Sequence, residues 1–193
     1  MMAIRESAFN LTGKLLISTP AMGDPRFSYS VIYLCTHAPE GAFGLVLNRP
    51  VAGLRLASVL EQLGIGCTAP LPEKPVLAGG PVEPERGFVL FRDDEGDTPD
   101  SEALAGGLSL TASPALLAAI ARGEGPSDWL LALGYAGWGP GQLEAEIAQN
   151  GWLTCDAEDA LIFAAAPGVQ VWLAALRAMG IDPPGLSAVA GHA

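Results

Sequence analysis

Short apolar runs cut by glycine and proline dominate this chain, with helical spacing appearing between them. Lys14–Ser18 predicts a first strand, after which Thr19-Pro20 and Gly23-Asp24-Pro25 force a loop. Residues 29–36 and 43–48 are rich in β-branched and aromatic types and flank Ala38-Pro39-Glu40-Gly41, the pattern of a β-hairpin. Leu54, Leu56, Val59, Leu60 and Leu63 recur at helical spacing, with Gly64 as a stop. Pro75–Ala78 and residues 87–91 predict two strands joined by a tight corner at Gly79-Gly80-Pro81. Residues 93–107 are polar, glycine-rich and unpatterned, so a surface loop is expected.

Leu108–Thr111 predicts a further strand. Ser113-Pro114 then supplies an N-cap and a first-turn proline for a helix over residues 115–122. Residues 129–133 predict a buried strand running into a glycine corner at 134–141, whose dense glycines point to main chain with free N–H groups. Pro140 is expected to open a helix to Gln149, closed by Asn150-Gly151. Residues 152–155 predict a strand, 158–163 a short turn or helix, and 169–179 a helix ended by Gly180 and Pro183-Pro184. Strands interleave with helices, yet the hairpin and the Gly-Gly-Pro corner look antiparallel. The expected fold is α+β, one compact domain over residues 1–193, with a mixed, mostly antiparallel sheet, open or barrel-like, surrounded by helices.

At 193 residues and 50% hydrophobic, the chain has enough apolar material for a substantial core. Its 10 basic and 21 acidic residues give a formal net charge of -11, the wrong sign for the electrostatic attraction behind most nucleic-acid affinity. The same charge weakens attraction to anionic membrane surfaces. The acidic excess is dispersed, apart from Asp93-Asp94-Glu95-Gly96-Asp97, which has the composition of a solvated loop. The start of the chain lacks a basic segment followed by an apolar stretch, and later apolar runs are too short to span a bilayer, so a cytoplasmic protein is expected. Cys35, Cys67 and Cys155 are widely separated, with no C-x-x-C, which predicts reduced thiols and neither a disulfide framework nor a structural zinc site.

Among candidate reactive groups, Cys35 and His37 stand two apart on a predicted strand, where alternate side chains share a face and a histidine can activate a thiol. The alternative is a half-buried cysteine beside a strand-end histidine. Asp24 is a candidate base or ligand contact, or else the cap of a turn. Asn48 and Arg49 can present an amide and a guanidinium to an anion, or brace a neighbouring loop. No metal site is expected: His192, the other histidine, stands in a terminal tail. No cofactor is expected either, because G-x-x-x-x-G-K-[ST] is absent and Gly137-Trp138-Gly139-Pro140-Gly141 lacks G-x-G-x-x-G spacing. Gly79, Gly80 and Pro81, with Tyr135, Gly137, Trp138 and Gly139, are the candidate binding surfaces, the aromatics as stacking or anchoring groups. Glu144 and Glu146, two apart on a predicted helix, do not face each other and look like a solvated face.

An ordered series of motifs carries a resemblance over nearly the whole chain. Leu11, Gly13 and L-L-I-S-T-P (15–20) are followed by Asp24-Pro25, Phe27 and S-V-I-Y-L-C-T-H (30–37). The series continues through E-G-A-F-G-L-V-L-N-R-P (40–50), G-G-P-V (79–82), G-Y-A-G-W-G-P-G-Q-L-E-A-E (134–146) and N-G-W (150–152). The chain resembles the YqgE/AlgH family of bacterial proteins. That resemblance implies a mixed α/β fold, a largely uncharacterised function and a transcriptional-regulator label linked to alginate production. Neither a helix-turn-helix with a basic recognition helix nor a favourable charge supports that label here. The leading expectation is a non-catalytic regulatory or adaptor protein that binds a protein or small ligand at its glycine-rich surfaces. The alternatives are a thiol-dependent or hydrolytic enzyme using Cys35 and His37, and a DNA-binding regulator opposed by charge. Partner identity and oligomeric state stay open.

Overall fold

The computed structural model describes residues 9–182. The sequence readings at residues 1–7, at Pro183-Pro184 and at His192 lie outside the described residues.

The chain runs β1 (Lys14–Ser18), β2 (Val31–Ala38), β3 (Gly41–Val46), β4 (Pro50–Arg55), α1 (Leu56–Gln62), β5 (Pro75–Ala78), β6 (Val82–Arg92), β7 (Glu102–Ala103) and β8 (Leu108–Thr111). It continues with α2 (Pro114–Ala121), β9 (Trp129–Trp138), α3 (Gln142–Ala148), β10 (Trp152–Asp156), α4 (Asp159–Ile162) and α5 (Val169–Ala178). The strands form one ten-stranded sheet in the order β10-β1-β2-β3-β9-β6-β8-β7, with the β4-β5 pair attached to β9. Every ladder is antiparallel except β5 with β9. The sheet curls into a half-barrel, so the Tyr33 hydroxyl on β2 donates to the Ala105 carbonyl beyond β7, at 3.1 Å.

The curl gives the sheet an inside and an outside. Leu15, Ile17, Val31, Tyr33, Leu45, Leu90 and Leu130 fill the concave side, which α5 closes with Trp172, Ala175 and Leu176. On the convex side, α1 and α2 place Leu56, Leu60, Leu117 and Ile120 against Val89, Phe91 and Leu131. Separately, α3 seats Leu143 beside Leu16, Ile32, Leu34, Trp138 and Trp152. Full burial of each such side chain contributes about 1.5–3 kcal/mol.

The hairpin, α2 and the terminal helix α5 fall where the hydrophobic pattern places them. Ser113 caps α2 by accepting from the Ala115 amide, with Pro114 at its start. Several local expectations are corrected. Residues 50–55 form edge strand β4, where proline, Gly53 and exposed positions break any alternation, so Leu54 belongs to the strand and the helix begins at Leu56. β5 and β6 are not neighbours across the Gly-Gly-Pro corner, because β9 runs between them. Residues 93–107 contain the short β7 and a 3₁₀ turn. Pro140 does not open α3: Gly141, at φ 71°, intervenes as the cap and the helix begins at Gln142.

Candidate functional site

The proposed thiol and base are separated by a β-bulge. Leu34 pairs with Gly44 and Thr36 with Phe43, so Cys35 is an extra residue in the ladder. A bulge of this kind resets which face each later side chain takes. Cys35 consequently packs in the concave cluster with Tyr33 and Leu45. His37 lies on the other side: its Nδ1 accepts from the Leu11 amide at 3.0 Å and its Nε2 faces Glu144 Oε1 at 2.8 Å. The Leu11 contact fixes the proton on Nε2, which donates to the carboxylate. Burial, reinforced by the charge of Glu102, pushes the Cys35 thiol well above its ordinary value, the reverse of an activated nucleophile. Asp24 does not join either residue. It caps the 3₁₀ turn at Pro25–Phe27 and chelates Arg26, whose hydrogen bonds hold its carboxyl below the usual range.

Asn48 and Arg49 are built into the scaffold. The Asn48 side chain accepts from the Val31 amide and donates to the carbonyls of Tyr29 and Gly168. Arg49 donates to the carbonyls of Arg26 and Ser28, bracing the loop before β2.

The glycine corner is the second half of β9, which corrects the expectation of main chain with free N–H groups. Ala136, Gly137 and Trp138 pair with Gly44, Phe43 and Ala42 of β3. Tyr135 pairs with Val82 of β6. Gly139, just past the strand, donates its amide to the Gln142 side chain. At Gly134, β9 changes one neighbour from β5 to β3, and the chain from β5 to β6 crosses over it there. An added Cβ on Gly79 would overlap the Gly134 carbonyl oxygen, and one on Gly80 would overlap the Tyr135 carbonyl. These glycines permit a close backbone crossing.

The two aromatics of this stretch serve different surfaces. Trp138 is buried on the α3 side, where its indole N–H donates to Glu146 Oε2 at 2.9 Å. The same oxygen accepts from Trp152 Nε1 at 2.7 Å, and Glu146 Oε1 accepts from Gln142 at 3.0 Å. Glu146 therefore organises two indoles and departs from the expected solvated face, whereas Glu144 is exposed as expected and also accepts from His37. Asp24, Pro81, Gly137 and Trp138, drawn from three separate stretches of chain, line one notch of about 180 Å³ together with Arg26, Phe27, Gln142 and Glu146. Phe27 stacks on Trp138 at 6.4 Å and meets Trp152 edge-on at 5.6 Å.

Tyr135 instead faces the mouth of the half-barrel, packed against Phe43 and Phe88. A third concavity, an apolar groove of about 480 Å³ between α1, α2 and the sheet, is lined by Leu54, Val59, Leu63, Leu117 and Leu133. The sequence pattern places Leu54 and Leu63 at helical spacing and Leu133 in a buried strand, and nothing in that spacing marks a groove.

These features define a class: an α+β protein whose curled sheet encloses one core and whose surface sites are shaped by aromatic and backbone packing. The AlgH-like family model matches residues 15–184. A UPF0301 protein of Paracoccus denitrificans is 49% identical over 190 residues, spanning 97% of this chain and 100% of the relative. Another from Ralstonia nicotianae is 48% identical over 193 residues, spanning both chains fully. The solution structure of the AlgH protein from Pseudomonas aeruginosa superposes with a TM-score of 0.76 at 42% identity, covering 100% of each chain. A crystal structure from Corynebacterium diphtheriae, at 24% identity and TM-score 0.69 over 87% of this chain and 86% of the other, shares the fold. The chain belongs to the AlgH-like family.

Proposed function

We propose that this protein is a non-catalytic binding protein of the regulatory or adaptor type, acting in the cytoplasm and recognising a protein segment or small ligand at the Trp138 notch. The observation that carries this reading is convergence: Asp24, Pro81, Gly137 and Trp138 meet on one recessed surface, while Cys35 and His37 are turned to opposite sides of β2. Glu146 supports it by holding both tryptophans in fixed orientation, the preorganisation that lowers the entropic cost of binding. Amphipathic aromatics edged by polar groups are the usual anchors of such surfaces.

The test is affinity capture from lysate with wild-type protein, Cys35→Ala and a notch variant, Arg26→Glu/Gln142→Lys. The two substituted notch positions are exposed, and circular dichroism of the variant checks that it is folded before capture. A molecule held by the wild type and by Cys35→Ala but released by the notch variant is expected. Equal capture by all three proteins would overturn the notch as the recognition surface, and turnover abolished by Cys35→Ala would replace binding with catalysis.

A further inference from the structure

The mouth of the half-barrel carries a second constellation, independent of the notch. A hollow of about 340 Å³ opens there between β2-β3 on one side and β6-β8 on the other. Its wall is an aromatic trio: Phe43 lies 4.7 Å from Tyr135 at an interplanar angle of 36°, and Phe88 meets both edge-on at 5.6 and 5.9 Å. Phe88 is buried, whereas Phe43 and Tyr135 are half-buried and expose ring surface to the hollow. Leu110 and the Cys35 side chain complete an apolar interior.

The rim bears one charge of each sign. Arg86 lies with its guanidinium 5.0 Å from the centre of the Phe88 ring, and Glu102 projects from β7. Glu102 is close enough to the interior for its charge to act on the Cys35 thiol. Among the described residues, the one carboxylate paired with Arg86 is Glu83, at 3.4 Å, with both side chains about half exposed. Such a pair contributes little and exchanges readily for a better-placed carboxylate.

A neutral apolar ligand would leave both rim charges unread. A simple anion would meet Glu102 and the overall charge of -11, and a simple cation would meet Arg86. We propose that the barrel mouth is a binding site for a small aromatic zwitterion, a free aromatic α-amino acid. Its ring stacks on Tyr135 and Phe43, its carboxylate pairs with Arg86 and its ammonium pairs with Glu102. Concave, aromatic-lined mouths of β-barrels with few polar groups are a recurrent setting for small-molecule sites, and guanidinium suits carboxylate through paired N–H donors.

The experiment titrates L-phenylalanine, phenylacetate and phenethylamine into ¹⁵N-labelled full-length protein, following amide shifts by NMR. L-phenylalanine is expected to shift residues around Phe43, Phe88 and Tyr135 and to bind more tightly than either singly charged analogue. Arg86→Gln should weaken L-phenylalanine and phenylacetate about tenfold and strengthen phenethylamine, and Glu102→Gln should weaken L-phenylalanine and phenethylamine about tenfold and strengthen phenylacetate, the losses being the size expected for one lost charge-assisted hydrogen bond. Both substitutions are at exposed positions. Three ligands binding equally, absence of shifts at millimolar ligand, or shifts confined to the Trp138 notch would each overturn the proposal. Equal binding or absent shifts leave capture at the notch untouched, shifts confined to the notch would favour that site over the barrel mouth, and failed capture there leaves the barrel-mouth titration intact.

Discussion

Glu146 shows how one side chain can set a surface. Two indole N–H groups and one amide converge on its carboxylate, and both tryptophans are buried. Replacing it with alanine strands donors that have little access to water, at about 1–3 kcal/mol for each group left unsatisfied. Glu146→Ala is expected to lose about 2–4 kcal/mol in urea denaturation, with Glu146→Gln losing less because one oxygen remains to accept. Cys35 supplies a second residue-scale test. Its folded-state value is raised by burial above the ordinary 9.0, so its contribution is complete below about pH 9 and fades as rising pH ionises the unfolded chain first. Tyr33, pushed by burial to about 12, acts in the same direction at higher pH. Stability should therefore fall above pH 9, with a shallower decline in Cys35→Ala. Native alkylation followed by mass spectrometry should label exposed Cys67 and spare Cys35. Of the two readings open for Cys35 and His37, the shared face requires unbroken strand alternation, which the bulge removes. Nothing in Leu34-Cys35-Thr36-His37 announces that bulge, since no glycine marks it.

At the scale of elements, the crossing of the β5-β6 connection over β9 leaves no room for a side chain at Gly79 or Gly80. Gly80→Ala places a methyl group onto the Tyr135 main chain at φ 156°, so the strand or the connection must move. A loss of about 3 kcal/mol or more is expected, as for overpacking against rigid backbone. Gly66→Ala, at an open position with ordinary φ, should stay within about 0.5 kcal/mol. Thermal or urea melts of both variants check the contrast, and equal losses would show that the crossing carries no strain. The glycine density that marks this region was visible in the sequence, but its use was not. A run such as Gly134-Tyr135-Ala136-Gly137-Trp138 reads locally as a turn, and only its partners on β3 and β6 make it a strand. Elements with their own signal, such as α2 with Ser113 and Pro114, were legible because cap, proline and apolar spacing agree within a few residues. Edge strand β4 lacked that agreement, and strand order is set by pairings too distant in sequence for any local pattern to encode.

For the whole molecule, charge is the property that separates the remaining functional readings. A net charge of -11 opposes duplex DNA on average, but a local basic patch can overcome an average. Among the described residues, seven of the nine cations, all but Arg55 and Arg177, are instead engaged by carboxylates or main-chain carbonyls. Lys14, Arg26, Arg86, Arg92 and Arg122 each pair with a carboxylate, at Asp156, Asp24, Glu83, Asp159 and Glu124. Arg49 is spent on main-chain carbonyls, and Lys74 donates to the Trp129 carbonyl above the Trp129 ring. Exposed pairs of this kind exchange readily, but the carboxylates that surround each cation repel a phosphate backbone. Fluorescence-anisotropy titration of duplex DNA at about 50 mM salt, where counterion release most favours binding, is therefore expected to show no saturable association. Tight binding that falls steeply as salt rises would demonstrate a phosphate-facing surface and return direct DNA recognition to first place.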